Sequence, residues 1–501
     1  MSNCSRRNFL KSVGVGAAAL ALNGCTTMAH APKKKPNFVL VLVDDMGWAD
    51  AGCYGSKFYE TPNINRLAAQ GMLFTNGYAA CAVCSPSRAA ILTGRYTVRH
   101  GVTNWISWNF EMTPDKKNPE GYTDKYLGKP TKLICPENHL WMELDEITIA
   151  EALKQAGYVS CHVGKWHLGP KEYHPDTQGF DYNLGGCDLG APPSYFDPYS
   201  AMTQFHNTQG IPTLPPRKED EYLTDRESDE ACNFIRNHKD KPFFLYMAHY
   251  AVHQPIQAKK EMVEKYKAKE PTQQNNPTYA AMVESVDQAV GRIMTTLDEL
   301  KLTDDTVIIF TSDNGGLMLP CYSYNNQPGP TNNTPLRGGK GRPYEGGIRE
   351  PFIVKWPGIA KAGTICSTPV ISMDLFPTIC LAAGVKLPDR PIDGENLTPL
   401  LTQTGSLKRG TLYWHYPHYW VPTPDPSTTP YSIIRDGNWK LIKSYEDNTF
   451  ELFNLKEDFS EKNDLAAKMP EKVKELDAKL TKWLKETNAK LPRPNPNYKP
   501  E

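Results

Sequence analysis

The chain reads as an α/β protein carrying a smaller C-terminal subdomain of antiparallel sheet plus helix. Three observations lead there: uninterrupted aliphatic runs of strand length, helical repeats between them, and a change of pattern near residue 405. A short run that is apolar at every position, rather than at alternate ones, suits a strand covered on both faces, as in a parallel sheet. Strands of that kind alternating with helices build a wound α/β domain.

The elements follow in order. Asn37-Phe38-Val39-Leu40-Val41-Leu42-Val43 comes after the polar linker Lys33-Lys34-Lys35-Pro36 and is the first buried strand. Thr306-Val307-Ile308-Ile309-Phe310-Thr311 repeats its grammar, and Pro242-Phe243-Phe244-Leu245-Tyr246-Met247 does so more weakly. Helical spacing of apolar residues covers Ile147 to Ala156 and Tyr279 to Leu300. From Leu412 to about Phe453 short strand-like runs dominate, with Tyr431-Ser432-Ile433-Ile434-Arg435 and Trp439-Lys440-Leu441-Ile442 joined by the turn Asp436-Gly437-Asn438. A charged helix from Pro470 to Thr487 follows, and the Pro/Asn/Lys-rich end is expected to be disordered. The expected divisions are a leader over 1–25, a linker over 26–36, a large domain over 37–405, a subdomain over 406–488 and a tail over 489–501. At 501 residues the chain exceeds a typical single core.

Arg6 and Arg7 precede an apolar run from Val13 to Leu22 that is too short to span a bilayer, so residues 1–25 read as a targeting segment. Ser5-Arg6-Arg7-Asn8-Phe9-Leu10-Lys11 matches the twin-arginine export pattern, a route that carries folded proteins. Leu22-Asn23-Gly24-Cys25 looks like a bacterial lipobox, with Cys25 lipid-modified; the alternative is cleavage after Ala29-His30-Ala31. The expectation is a protein exported by a bacterium, periplasmic and lipid-anchored at the outer membrane or cell surface. A net charge of zero argues against nucleic acid as a partner. Twelve cysteines without regular spacing give no disulfide framework, and folding before export favours thiols.

Two buried strands end in acids, Asp44-Asp45 and Asp313-Asn314. Ligands of open α/β sheets sit beyond the carboxyl ends of strands, so these four side chains can converge although far apart in sequence. Three carboxylates and an amide oxygen make a hard shell that suits Ca²⁺ ahead of Mg²⁺, and either ahead of Zn²⁺. Each pair taken alone is equally a strand-end turn or cap. Cys84-Ser85-Pro86-Ser87-Arg88 leads into a short helix stopped by Gly94. Pro86 suits a first helical turn, which sets Cys84 at a helix N-terminus, where free N–H groups and the dipole favour an anion.

This segment, with Leu92-Thr93-Gly94-Arg95 after it, resembles the signature of the formylglycine sulfatases. Gly157-Tyr158-Val159-Ser160-Cys161-His162-Val163-Gly164-Lys165-Trp166-His167-Leu168-Gly169 resembles the second signature of that family, with Ser160 where threonine is usual. Tyr250-Ala251-Val252-His253-Gln254-Pro255 and Thr334-Pro335-Leu336-Arg337-Gly338-Gly339-Lys340-Gly341 match its histidine and lysine motifs, Val252 standing where proline is common. The resemblance spans most of residues 36–460. It implies the large, mixed, mostly parallel sheet of the alkaline-phosphatase superfamily and hydrolysis of sulfate esters. It further implies that a maturation enzyme oxidises Cys84 to formylglycine (3-oxoalanine), and that Asp44, Asp45, Asp313, Asn314 and residue 84 hold Ca²⁺. Asp313 then assists deprotonation of the nucleophile, Arg88, Lys165 and Lys340 neutralise sulfate, His253 with Lys340 protonates the leaving oxygen, and His167 takes the last proton. His249 lies close enough to compete with His253 for its role, and His162 reads as structural.

Leu412-Tyr413-Trp414-His415-Tyr416-Pro417-His418-Tyr419-Trp420 is dense in rings that suit a sugar face, which makes His415 and His418 candidate substrate contacts. The same residues serve equally to pack the subdomain on the large domain. Asp188 and the Pro192-Pro193-Ser194-Tyr195 loop are further candidates for the pocket. For an exported, lipid-anchored enzyme the expected substrate is a sulfated carbohydrate, attacked from its end. Two other readings remain: a phosphate or phosphonate ester hydrolase of the same superfamily, and a sugar-binding lipoprotein whose Cys84 stays a thiol.

Overall fold

The main sheet has nine strands: β1 (Asn37–Val43), β2 (Met72–Tyr78), β3 (Val159–Gly164), β4 (Tyr182–Leu184), β5 (Phe243–Ala248), β6 (Thr306–Ser312), β7 (Arg349–Lys355), β8 (Thr364–Cys366) and β9 (Val370–Ile371). Their order is β8-β2-β7-β6-β1-β5-β3-β4, with β9 also on β2. In this computed structural model, residues 35–106, 122–126, 129–203, 206–208, 210–214, 218–318, 329–420 and 426–499 are described. The leader with Cys25 lies outside the described residues.

The block β6-β1-β5-β3-β4 is parallel throughout, and β7 runs antiparallel to both β6 and β2. Every residue of β1, β5 and β6 is buried, as uniformly apolar runs require. Odd residues of β1 (Val39, Val41, Val43) join one core cluster and even ones (Phe38, Leu40, Leu42) the other, so helices cover both faces. Helix α1 (Cys84–Thr93) is buried along its whole length and ends at Gly94 in the left-handed conformation (φ 69°). Helix α2 (Pro277–Glu299) starts at the Asn276 cap, whose side chain accepts from the amides of Thr278 and Tyr279.

The C-terminal sheet β10 (Thr411–Tyr416), β11 (Tyr431–Asp436), β12 (Trp439–Ser444) and β13 (Thr449–Asn454) is an antiparallel meander, followed by α3 (Pro470–Glu486). It does not form a separate body. Trp414, Ile433, Leu441 and Leu452 share one apolar cluster with Tyr78, Val83, Ala90 and Ile348 of the large domain, and Pro36–Glu501 is one compact unit. The tail corrects the expectation of disorder. Arg493–Pro494 pairs with Leu133 and Ile134, and Asn495 donates from its backbone and side chain to the carbonyls of Lys132 and Thr131 (2.9 and 2.8 Å). A polar, proline-rich segment has no core to bury, but an open strand edge gives its backbone partners.

One buried acid braces the loop after β1. Asp50 accepts from Gly47 N (2.9 Å), Tyr279 Oη (2.7 Å), Thr331 Oγ1 (2.8 Å) and Gln274 Nε2 (3.0 Å), and Tyr279 Oη also donates to the Asp45 carbonyl (3.2 Å). Burial pushes its carboxyl up to about 6, against the pull of those donors. A carboxyl raised in the fold contributes most below its unfolded pKa, and that contribution is lost as pH rises through about 6. Wild type should therefore gain about 1 kcal/mol relative to Asp50→Asn between pH 7 and pH 5, measured by denaturant unfolding. Asp50→Ala, which removes the shared acceptor of four buried donors and leaves the Gly47 amide without one, should lose about 3 kcal/mol at pH 7.

Candidate active site

Four adjacent parallel strands, β6, β1, β5 and β3, deliver the site from their carboxyl ends. Asp44 and Asp45 follow β1, Asp313 and Asn314 follow β6, His253 lies five residues after β5, and Lys165 and His167 follow β3. Asp45 and His167 both hold positive φ (61° and 59°), a conformation that non-glycine residues adopt rarely and that turns their side chains back over the sheet end.

The acids are matched by cations. Lys165 Nζ is 2.6 Å from Asp44 Oδ2, Lys340 Nζ is 2.6 Å from Asp45 Oδ1 and 2.9 Å from Oδ2, and Arg88 Nε donates to Asp313 Oδ2 at 2.8 Å. Arg88 also donates from Nη1 to the Lys165 carbonyl (2.7 Å), tying α1 to the end of β3. Burial pushes the Asp45 carboxyl up, but Lys340, His253 and Lys165 outweigh it and hold it well below the usual carboxylate range. Asp44 goes the other way: burial, reinforced by Asp313 and Asp45, raises it well above that range in spite of Lys165.

Among the described residues two buried oxygens in this cluster lack a hydrogen-bond partner: Asp44 Oδ1, which has only the distant Arg88 Nη2 at 3.8 Å, and Asn314 Oδ1. Asn314 turns its Nδ2 to Asp45 Oδ1 (2.7 Å), which leaves its oxygen as an acceptor. Orphaned oxygens beside carboxylates crowded by burial fit a hard divalent cation, whose charge would relieve Asp44. Asp44, Asp45 and His253 offer donor atoms within 4.8 Å of one another. Asp313 accepts from Arg88 Nε and the Asp45 amide (3.3 Å), one bond on each oxygen, which leaves a second lone pair on each for a cation.

Cys84 is the first residue of α1, with Val83 as an N-cap that supplies no side-chain acceptor, and is buried. Its Sγ lies 3.4 Å from His167 Nδ1. His167 Nε2 is 2.6 Å from the Ile106 carbonyl, so it carries the proton and leaves Nδ1 as an acceptor facing residue 84. Burial and then Lys165 hold this imidazole well below its ordinary pKa, so it rests as a neutral base. His253 donates from Nδ1 to the Gln254 carbonyl (2.8 Å) and sets Nε2 3.6 Å from Asp45 Oδ2. Burial and then Lys340 keep it neutral too, so the resident proton carrier beside Asp45 is Lys340.

The other candidates sort by their bonds. His249 is fully buried and pairs through Nδ1 with Glu227 (2.7 Å), leaving His253 as the histidine on the acids. His162 stands edge-on to Trp166, Phe180 and Tyr246 in the core. Tyr195 donates to the carbonyls of Tyr250 and His253 (2.7 and 2.8 Å) and so braces the histidine rather than the substrate. His415 and His418 are a correction. His415 is bound by Ser432 Oγ (2.7 Å) and the Lys490 carbonyl (3.0 Å), and His418 by Thr103 Oγ1 (2.8 Å). Burial lowers them to about 4 and about 3, and both are packing residues rather than free contacts for a sugar. Sequence reasoning missed the Ile106 carbonyl and Tyr279, which act through backbone or scaffold bonds that leave no motif. All nine cysteines among the described residues are free.

The family model described as sulfatase matches residues 36–385, and one described as N-sulphoglucosamine sulphohydrolase, C-terminal, matches residues 340–490. A sulfatase of Formosa agariphila is 30% identical, over 96% of this chain and 95% of its own. N-acetylgalactosamine-6-sulfatase of Homo sapiens is 35% identical, over 79% of this chain and 73% of its own. The crystal structure of Ps i-CgsB in complex with k-i-k-neocarrahexaose is similar at a TM-score of 0.72 and 30% identity, covering 90% of this chain and 93% of that one.

Removing Arg88 takes a buried partner from Asp313 and from the Lys165 carbonyl. Arg88→Ala should cost about 3–5 kcal/mol in denaturant unfolding, the scale for a broken buried pair, whereas an exposed arginine would cost well under 1 kcal/mol.

Proposed function

The chain belongs to the sulfatase family and is a sulfuric ester hydrolase, and we propose that it removes sulfate from carbohydrates through an aldehyde made from Cys84. The observation that carries this reading is the setting of Cys84. It stands at the head of a buried helix, 3.4 Å from an imidazole nitrogen that accepts, beside an oxygen cluster in which two buried oxygens accept no hydrogen bond among the described residues. A structural cysteine needs none of these neighbours.

Asp44, Asp45, Asn314 and Asp313, with residue 84, would hold Ca²⁺, which when bound supplies positive charge to the sulfate oxygens. The hydrated aldehyde supplies an oxygen nucleophile together with a second hydroxyl, which a thiol lacks. Around them the chain's own residues divide the work. Arg88, Lys165 and Lys340, all buried, would face the anion with fixed charge. The Asp313 carboxylate, oriented by Arg88, receives the proton of the attacking hydroxyl. Lys340 stands where the leaving oxygen needs a proton, and His253 joins it once an incoming anion allows the ring to charge. His167 accepts through Nδ1 the proton that residue 84 gives up at the end of the cycle.

Carbohydrate is the proposed substrate class because the similar proteins include an N-acetylgalactosamine-6-sulfatase and a structure determined with k-i-k-neocarrahexaose. The leader supports the address: twin-arginine export, lipid attachment at Cys25, and a periplasmic or surface location. Export of a folded protein sets oxidation of Cys84 by a formylglycine-generating enzyme before translocation.

Cys84→Ala should abolish sulfate release and leave the unfolding transition unchanged; activity within about tenfold of wild type would contradict the nucleophile. Assayed on sulfate and phosphate esters of one alcohol, the enzyme should prefer sulfate, and a preference for phosphate would move it to the phosphatase branch. Chelation should remove activity and Ca²⁺ should restore it, whereas full turnover by metal-free protein would contradict the cation site.

A further inference from the structure

We propose that Glu461 and Arg337 are positioning residues for Lys340, through a clamp by which the C-terminal subdomain sets the lysine that faces the leaving group. Lys340 belongs to the loop between Arg337 and Glu345. Among the described residues its side chain bonds only to Asp45, so its place depends on what holds the loop backbone. That backbone is anchored within the large domain by Lys340 N to the Gly316 carbonyl (3.1 Å) and Gly341 N to the Ala82 carbonyl (2.8 Å). Asn333 Nδ2 adds a third large-domain anchor at the Gly338 carbonyl (3.0 Å), and a further set of anchors comes from the subdomain.

At the loop's end, the Glu345 amide donates to Glu461 Oε2 at 2.7 Å. Lys440 Nζ, from β12, bridges Glu345 Oε1 (3.0 Å) and Glu461 Oε1 (2.7 Å), and Tyr78 Oη donates to Glu345 Oε2 (2.6 Å). Lys440 and Glu345 are 0% exposed and Glu461 1%. At the loop's start, the Arg337 guanidinium lies 3.6 Å from the centre of the Tyr344 ring and donates to the Glu461 carbonyl (3.2 Å) and Glu451 Oε1 (3.3 Å). In the middle, the Trp420 ring packs against Gly341, where a Cβ would come within 2.0 Å of it. A buried lysine between two buried glutamates is poor stabilisation compared with apolar packing of the same volume. What it adds is direction: two charges that bond in one geometry fix where Glu345, and hence Lys340, must stand.

The inference rests on the reading of Lys340 as the cation at the leaving oxygen. That role matters most for a poor leaving group, a sugar alcohol, and least for an acidic phenol. The test compares kcat and KM for a sugar sulfate and an activated aryl sulfate in the full-length protein. Lys340→Ala should lose at least about fivefold more kcat on the sugar sulfate than on the aryl sulfate. Glu461→Ala should show the same bias, with KM little changed, and Glu461→Gln, whose amide oxygen still accepts from Glu345 N, should restore most of it. Arg337→Met, at a residue partly open to solvent, keeps the test decisive should Glu461→Ala fail to fold, and should carry the bias also. Equal losses on both substrates in Glu461→Ala and Arg337→Met, with the bias present in Lys340→Ala, would overturn the clamp alone. Equal losses in Lys340→Ala would overturn the role given to Lys340 and the clamp with it.

Discussion

The site depends on charge compensation at the carboxyl ends of four parallel strands. Asp44, Asp45 and Asp313 are each buried within 3 Å of a cation, Lys165, Lys340 and Arg88 respectively. Unpaired, each would cost several kcal/mol to bury; paired, the three acids and three bases sum to zero when all are ionised. A divalent cation bound among these groups would add positive charge, which favours an anionic sulfate ester. The same pairs join segments distant in sequence, since Arg88 binds both Asp313 and the carbonyl of Lys165.

Once the charges are placed, the histidines acquire their roles from single backbone bonds. The Ile106 carbonyl selects the tautomer of His167 and the Gln254 carbonyl that of His253, so each ring presents an unprotonated nitrogen to the cluster. Burial keeps both rings neutral at rest. These bonds orient the two rings in the folded chain itself, before any ligand arrives. The C-terminal sheet belongs to this arrangement: it shares a core with α1 and bonds to the loop of Lys340.

Much of this was legible in the residues, for identifiable reasons. β1 and β6 are apolar at every position because both faces are covered, and acids directly after such strands have few places to go except one end of the sheet. Other features depend on tertiary partners that the local sequence does not carry. β7 begins Arg349-Glu350-Pro351, a poor strand by composition, yet it is central: Arg349 lies over the Trp48 ring, and the register shifts between Glu350 and Phe352, where proline is tolerated. β2 contains Asn76-Gly77, which reads as a turn until Phe352 packs where a Cβ at Gly77 would stand. His415 and His418 read equally as sugar contacts or as packing; Ser432 and Lys490 take both nitrogens of His415, and Thr103 takes Nε2 of His418.

The state of residue 84 decides the account. Peptide mass spectrometry of the segment spanning Cys84, on protein purified from its native host, should find an aldehyde that carbonyl reagents trap and thiol reagents do not. An intact, alkylatable Cys84 thiol throughout a preparation that turns over sulfate esters would contradict it.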